Sequence, residues 1–386
     1  MRYHKFSLKN YVNIDSKFWA GALTLSGTMI GAGILGLPFV FAKSGFLIGL
    51  VWLAFLGAIM LFVHLYMGEV ILRTHGKHQL TGYAEHYLGR GGKIIMLFAV
   101  LFGIYAALVG YLIGEGESFS YLIMGDAKYA IFFGVVFWII LTLLLREGFR
   151  ELKKFARFTI PIVIIAILGV FFYLIPQARF SNLSAFNSGM IFVPLGVVLF
   201  SMLGFSAIPE VGRIMQGRER SLKKAMIIGT LIPVIVYIIF ALIFVGVFGQ
   251  NVQEVATISL GRLGSLIGIA TMVTAYFVLS FALKDTFEID LELKKSRVFF
   301  LVSVVPLILY LLISLFGFLD FVSVLGIGGV ISGGLTGILI LLINNQAKKY
   351  SERKPEYWIP INWAIIILVS LVFIAGVVIE LGILKI

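Results

Sequence analysis

Apolar residues run along most of this chain in long unbroken stretches, rather than in the alternation of a strand or the narrow stripe of a surface helix. A helix rises 1.5 Å per residue, so about 20 apolar residues cross a hydrocarbon core about 30 Å thick. On that rule eleven helices are expected, near 18–43, 45–71, 93–122, 129–146, 156–175, 190–216, 222–249, 262–284, 298–316, 320–343 and 361–383. Only short polar stretches separate them, with no soluble domain or long linker. The pattern predicts an all-α membrane protein with 11 transmembrane helices.

Two of the eleven are poor continuous helices. The first holds Gly27-Thr28-Met29-Ile30-Gly31-Ala32-Gly33-Ile34-Leu35-Gly36-Leu37-Pro38. Glycine costs roughly 1 kcal/mol against alanine inside a helix, and proline removes a hydrogen bond and clashes with the turn before it. The sixth holds Ser201-Met202-Leu203-Gly204-Phe205-Ser206-Ala207-Ile208-Pro209, which repeats the order small, Met, aliphatic, Gly of Thr28 to Gly31. An unpaired main-chain group in lipid costs several kcal/mol, so a break at bilayer depth has to face protein or a water-filled cavity. The two segments lie five helices apart and enter the membrane from opposite sides. Interrupted helices at matching places in two five-helix halves are how inverted-repeat transporters build a site at the midplane. The expected organisation is a cytoplasmic N-terminal segment (1–17), a first five-helix repeat (18–175), an inverted second repeat (176–343), and a loop with an eleventh helix (344–386). Helices 1 and 6 are expected to be broken at mid-membrane.

Composition narrows the choice. With 60% hydrophobic and 13% charged residues and a mean hydropathy of +1.05, the chain has no room for a soluble catalytic domain. The net charge of +12 has no basic soluble segment through which to bind nucleic acid. Its distribution is informative instead: 26 of the 31 Lys and Arg fall in alternate loops, from Arg2–Lys17 to Lys348–Lys354. The positive-inside rule then places the N-terminus in the cytoplasm and the C-terminus outside a cell membrane. With no cysteine, disulfides, thiolate metal sites and thiol nucleophiles are excluded. The basic start before an apolar run reads as a retained first helix rather than a cleaved signal. Gly31, Gly33 and Gly36 match the glycine spacing of a dinucleotide-binding turn, but the flanks are membrane helix and no acid follows at the required distance.

On the two glycine–proline motifs the chain resembles the amino acid/polyamine/organocation superfamily, in particular the amino acid/auxin permease branch with its hydroxy- and aromatic-amino-acid permeases. The resemblance implies a free amino acid as substrate and uptake driven by an ion gradient, with no cofactor. It also gives the broken helices a task. Amides at a half-helix N-terminus suit a carboxylate, because they lack intrahelical partners and the dipole is positive there. The expected carboxylate donors are Gly31, Ala32 and Gly33. Carbonyls near Thr28, Met29, Phe200 and Ser201 would take the ammonium, with Gly204, Phe205, Ser206 and Tyr105 around the side chain.

For the coupling ion, H+ and Na+ both stay open. A sodium site of the family's kind would join carbonyls of Gly27 and Ile30 to the hydroxyls of Thr271 and Thr274. A proton route could use Glu210, just past the second break, or Glu115 and Glu117 near the outer end of helix three, although all three could simply reach interfacial water. Lys153, Lys154 and Arg157 lie only at the edge of helix five, which weakens a lysine-based scheme. The expected function is therefore a neutral, aromatic or hydroxy amino acid permease working by alternating access. The alternatives are a non-transporting amino acid sensor on the same scaffold and, further off, an intramembrane enzyme. The spans hold no paired catalytic set, so enzymatic activity is not expected. Membrane lipid is the expected surrounding, and the sequence leaves the oligomeric state open.

Overall fold

The computed structural model describes residues 16–76, 78–146 and 165–383, and among these every regular element is a helix. The first break lies between α1 (Ser16–Met29) and α2 (Ala32–Ser44), which bend by 56° relative to each other. Gly31, at φ −133° and ψ −140°, leaves the helical region there. Next come α3 (Phe46–Arg73), α4 (Leu80–Ile123), α5 (Ala130–Arg146) and a short apolar α6 (Ile165–Gln177). The second break separates α7 (Pro194–Ser201) from α8 (Ile208–Ile214), with a 3-10 turn at Phe205–Ala207 between them. The chain continues through α9 (Leu222–Phe248), α10 (Arg262–Asp285), α11 (Lys295–Phe316), α12 (Phe321–Lys349) and α13 (Trp363–Ile383). Among the described residues, with α7 and α8 together counted as the one stretch Pro194–Ile214, 8 helices are long and apolar enough to cross a membrane, or up to 9 with the bent pair α1 and α2 taken as one span.

One expectation needs correction. The stretch before residue 93 is not a loop, because α4 begins at Leu80 and passes a kink at Gly89, where φ is 74°. Leu80, Tyr83, Ala84 and Tyr87 share one face of its first turns, and the first three are buried. A search for 20 apolar residues cannot see a helix this polar on its other side. The N-terminal segment 1–15, the start of the fifth expected helix and its Lys153, Lys154 and Arg157 lie outside the described residues.

The helices pack as two groups. In one, α9 lies against α1, α2 and α3, and α8 lies against α1 and α3. In the other, α4 is the central post, with α5, α10, α11 and α12 around it. Where the two motif-bearing helices meet, α7 touches α2 and also α12.

The Arg73 end of α3 is tied to the connection between α12 and α13. Glu69, fully buried, accepts from Arg73 Nη2 at 2.8 Å, Arg73 Nε at 2.9 Å and the Ile359 amide at 3.2 Å. Lys348 Nζ stands 3.6 Å away. Tyr66 donates to the Pro360 carbonyl at 2.9 Å, and Tyr357 to the Leu65 carbonyl at 2.6 Å. Removing one member of a buried ion pair costs about 3 kcal/mol or more. Arg73→Met is therefore expected to lower the thermal midpoint of the detergent-solubilised protein clearly. An unchanged midpoint would mean that Lys348 and the Ile359 amide carry Glu69 without it.

At the other end of the molecule, in the connection before α10, burial and then the neighbouring Asp320 carboxylate push Glu254 up to about 7. An acid raised in the folded state stabilises the fold at low pH, and that contribution is lost as pH climbs from the unfolded value to about 7. Thermal midpoints should fall across that window, and Glu254→Gln should flatten the fall.

Candidate functional site

The two breaks lie against each other. A Cβ on Gly33, in the first turn of α2, would sit 2.8 Å from Ser201 Cα at the end of α7. A Cβ on Gly204 would meet Leu25 Cδ1 at 2.8 Å and Met29 Cγ at 2.9 Å, on the last turn of α1. Only glycine allows the backbones this close.

Breaking a helix exposes main-chain groups, and two buried tyrosines meet them. The Ala32 amide donates to the Tyr111 hydroxyl oxygen at 3.3 Å, and Tyr111 belongs to α4. The Tyr237 hydroxyl of α9 lies 2.6 Å from the Met29 carbonyl and 2.9 Å from the Ser201 carbonyl. A phenol has one proton to give, so a single donor spans the carbonyl ends of both half-helices. Within the first break, the Gly31 amide turns back to the Met29 carbonyl at 3.0 Å. The first amides of a helix have no intrahelical acceptor, so the start of α2 presents donors next to the acceptors at the ends of α1 and α7.

The structure thus brings together Met29, Gly31, Ala32, Gly33, Ser201 and Gly204 of the expected residues. Others have separate occupations. Tyr105 donates to the Leu301 carbonyl on α11 at 3.0 Å, and Tyr111 is the helix-three tyrosine at the break. Thr28 bonds the Thr24 carbonyl at 3.0 Å and Ser201 Oγ the Val197 carbonyl at 2.7 Å. Phe200 lies beside Gly328 and Gly329 of α12, Phe205 is buried and Ser206 is exposed. Thr271 bonds the Ile267 carbonyl at 2.8 Å, and Thr274 the Thr271 carbonyl at 3.1 Å. Glu210 pairs on the surface with Arg213 at 3.0 Å. Gly27 and Ile30 lie in and just past the last turn of α1. Among the described residues no group of three His, Cys, Asp or Glu is placed to hold a metal.

Tyr237 was the residue to look for: a tyrosine in the apolar run Ile227–Phe248 needs a partner for its polar tip. Separately, a cavity of about 260 Å³ opens at the Arg73 end of α3, lined by Tyr83, Pro209, Arg213 and Glu219 among others.

The model of the tryptophan/tyrosine permease family matches residues 14–283, a stretch that includes both breaks, Tyr111 and Tyr237. The chain belongs to that family. This family member is 28% identical over 242 residues to tyrosine-specific transport system 1 of Haemophilus influenzae, a match spanning 61% of this chain and 59% of the relative. It is 25% identical over 246 residues to glutamine transporter 2 of Aliivibrio fischeri, covering 62% of this chain and 63% of that one. The matched stretch is therefore about three fifths of these relatives' length. In fold it is similar to MhsT, solved in complex with L-phenylalanine, at a TM-score of 0.67 and 16% identity, covering 96% of this chain and 98% of that one.

Two glycine substitutions separate packing from ligand chemistry. Gly33→Ala should destabilise the protein strongly, because the added methyl meets the Ser201 backbone. Gly31→Ala meets only the Tyr111 hydroxyl, 2.7 Å from the new Cβ, and should fold while weakening amino acid binding. Thermal unfolding with and without each of the twenty amino acids reads both effects. Equal stability of the two variants would contradict the packing argument.

Proposed function

We propose that the protein is a secondary active transporter for a free neutral amino acid, with aromatic and hydroxy side chains the leading candidates. It is driven by a gradient of H+ or Na+, works by alternating access, and is not an enzyme. The observation that carries this reading is the pairing of the two breaks, with amide donors at the start of α2 facing carbonyls of Met29 and Ser201 across a few ångströms. A zwitterion needs that combination, an anion site and a cation site side by side away from bulk water. The family and the relatives' names, which include tyrosine and glutamine transporters, support an amino acid as cargo.

In this reading the chain crosses a cell membrane eleven times, as two inverted five-helix repeats (18–175 and 176–343) plus one helix, with a cytoplasmic N-terminus and an external C-terminus. The helix group around α9 rocks against the group around α4, with the substrate held between. The substrate carboxylate takes the amides of Ala32 and Gly33, with Tyr111 beside them. The ammonium takes the Met29 and Ser201 carbonyls and displaces the Tyr237 hydroxyl from one or both.

Purified protein in liposomes is expected to accumulate labelled tyrosine, tryptophan or glutamine when an ion gradient is imposed. Binding without accumulation would replace the transporter with a sensor. Replacing sodium by choline at fixed pH tells the two coupling ions apart.

Tyr237→Phe tests the ammonium site. Without the hydroxyl, two buried carbonyls lose their donor at a cost of about 1–3 kcal/mol, and a bound ammonium restores it. The empty variant should therefore be less stable than wild type, while the stabilisation on adding substrate should be larger. A smaller substrate-induced shift would show that the hydroxyl itself grips the ligand.

A further inference from the structure

Helix α4 carries an acid that the site above does not use. Glu115 lies four residues after Tyr111, on the same face of the helix, and is fully buried. Neither of its carboxyl oxygens has a partner at hydrogen-bonding distance and angle, the Val273 main chain of α10 lying near it without a well-formed bond. Two buried hydroxyls share that condition: Ser118, a turn further on, and Thr257, in the 3-10 turn ahead of α10. Both converge on Gly268 of α10, where a Cβ would sit 2.5 Å from Thr257 Oγ1 and 3.5 Å from Ser118 Oγ. The surroundings are tight. A Cβ on Gly114 would be 2.8 Å from Met272 Sδ and 3.0 Å from the Phe321 ring, and one on Gly116 would be 3.2 Å from the Gly134 amide nitrogen of α5.

Charged and titratable groups around this part of α4 are few. α4 itself adds Tyr111 and Glu117, α10 brings Tyr276, whose ring centroid is 6.5 Å from that of Tyr111, and α11 brings Tyr310. Lys43 ends α2, Asp320 precedes α12 beside Glu254, and α5 is uncharged from Ala130 to Leu145. No ion pair among the described residues reaches Glu115. Closed off from water and without a cation, an ionised carboxylate here is an unpaired buried charge, which is costly.

The geometry points to Glu115 as the group that binds and releases the driving proton. This rests on the transporter reading and decides its coupling ion. The proton enters from the side on which the site is open, adds to a Glu115 carboxylate oxygen, and leaves from the same oxygen once the site opens to the opposite side. Four residues of helix put Glu115 about 6 Å along the axis from Tyr111, whose hydroxyl oxygen meets the Ala32 amide. A charge on Glu115 repels that carboxylate and weakens substrate binding by on the order of tenfold or more. Neutralising it removes the penalty, so proton and substrate favour each other's binding reciprocally.

The test uses the full chain in liposomes with labelled tyrosine, tryptophan and glutamine as probes. Wild type is expected to accumulate label when a proton gradient is imposed at constant sodium. Glu115→Gln is expected to keep exchange of internal for external amino acid, lose accumulation on the proton gradient, and lose the pH dependence of binding. Glu115→Asp should restore both, and Glu380→Gln, which alters another buried acid, should leave both as in wild type. Accumulation in Glu115→Gln with a wild-type pH profile overturns the assignment, as does a profile lost in Glu380→Gln instead. If Glu115→Gln does not fold, proton uptake on substrate binding to wild type in weakly buffered detergent solution decides: about one proton per substrate supports the proposal and none overturns it. Wild type that exchanges amino acids but ignores the proton gradient defeats the proton site alone. Wild type that neither exchanges nor accumulates defeats the transporter reading as well.

Discussion

A main-chain amide or carbonyl in hydrocarbon needs a partner, because leaving it bare costs several kcal/mol. Most of this chain obeys through unbroken helices. At Met29–Ala32 and again at Ser201–Gly204 the helical ladder stops, and the freed groups take unusual partners: the Tyr111 oxygen, the Tyr237 hydroxyl and, for Gly31, a carbonyl two residues back. The close backbone packing of Gly33 on Ser201 serves the same need, since helices this close leave no room for lipid between them. The polarity released by the breaks is held by these few bonds, which a solute's charged groups could replace.

The two tyrosines come from different helix groups. Tyr237 belongs with α1, α2 and α3, whereas Tyr111 stands on the central post of the other group. Tyr237 joins carbonyls within its own region, while the bond from Ala32 to Tyr111 crosses from one group to the other. At 3.3 Å that crossing bond is the longest of the three and the one relative motion would strain first.

Much of this was legible in the sequence. Long apolar runs announce membrane helices through length alone, and glycine with proline at two corresponding places announces the breaks through backbone sterics. The contact partners were harder. Tyr105 and Tyr111 are both tyrosines on one long helix, and six residues turn them to different faces. Only the neighbours, Leu301 for one and Ala32 for the other, decide which reaches the break. Thr271 and Thr274 have the right chemistry for a cation, yet each hydroxyl bonds its own helix, as hydroxyls in apolar helices commonly do. The early start of α4 escaped because an amphipathic helix at the membrane edge has no long apolar run.

The fastening of α3 has a mechanical consequence. Glu69, Tyr66 and the Leu65 carbonyl pin one end of the helix to the segment leading into α13, while near its other end a single indole N–H, that of Trp52, donates to the Ile191 carbonyl at 2.7 Å. A rod held firmly at one end and lightly at the other swings about the firm one. α3 has 28 residues and is about 42 Å long, so a tilt of about 10° carries the lightly held end through about 7 Å and barely moves the pinned one. Any tilt of this helix is therefore lopsided: its reach is set where one indole bond gives way, and its stiffness where a buried carboxylate holds it.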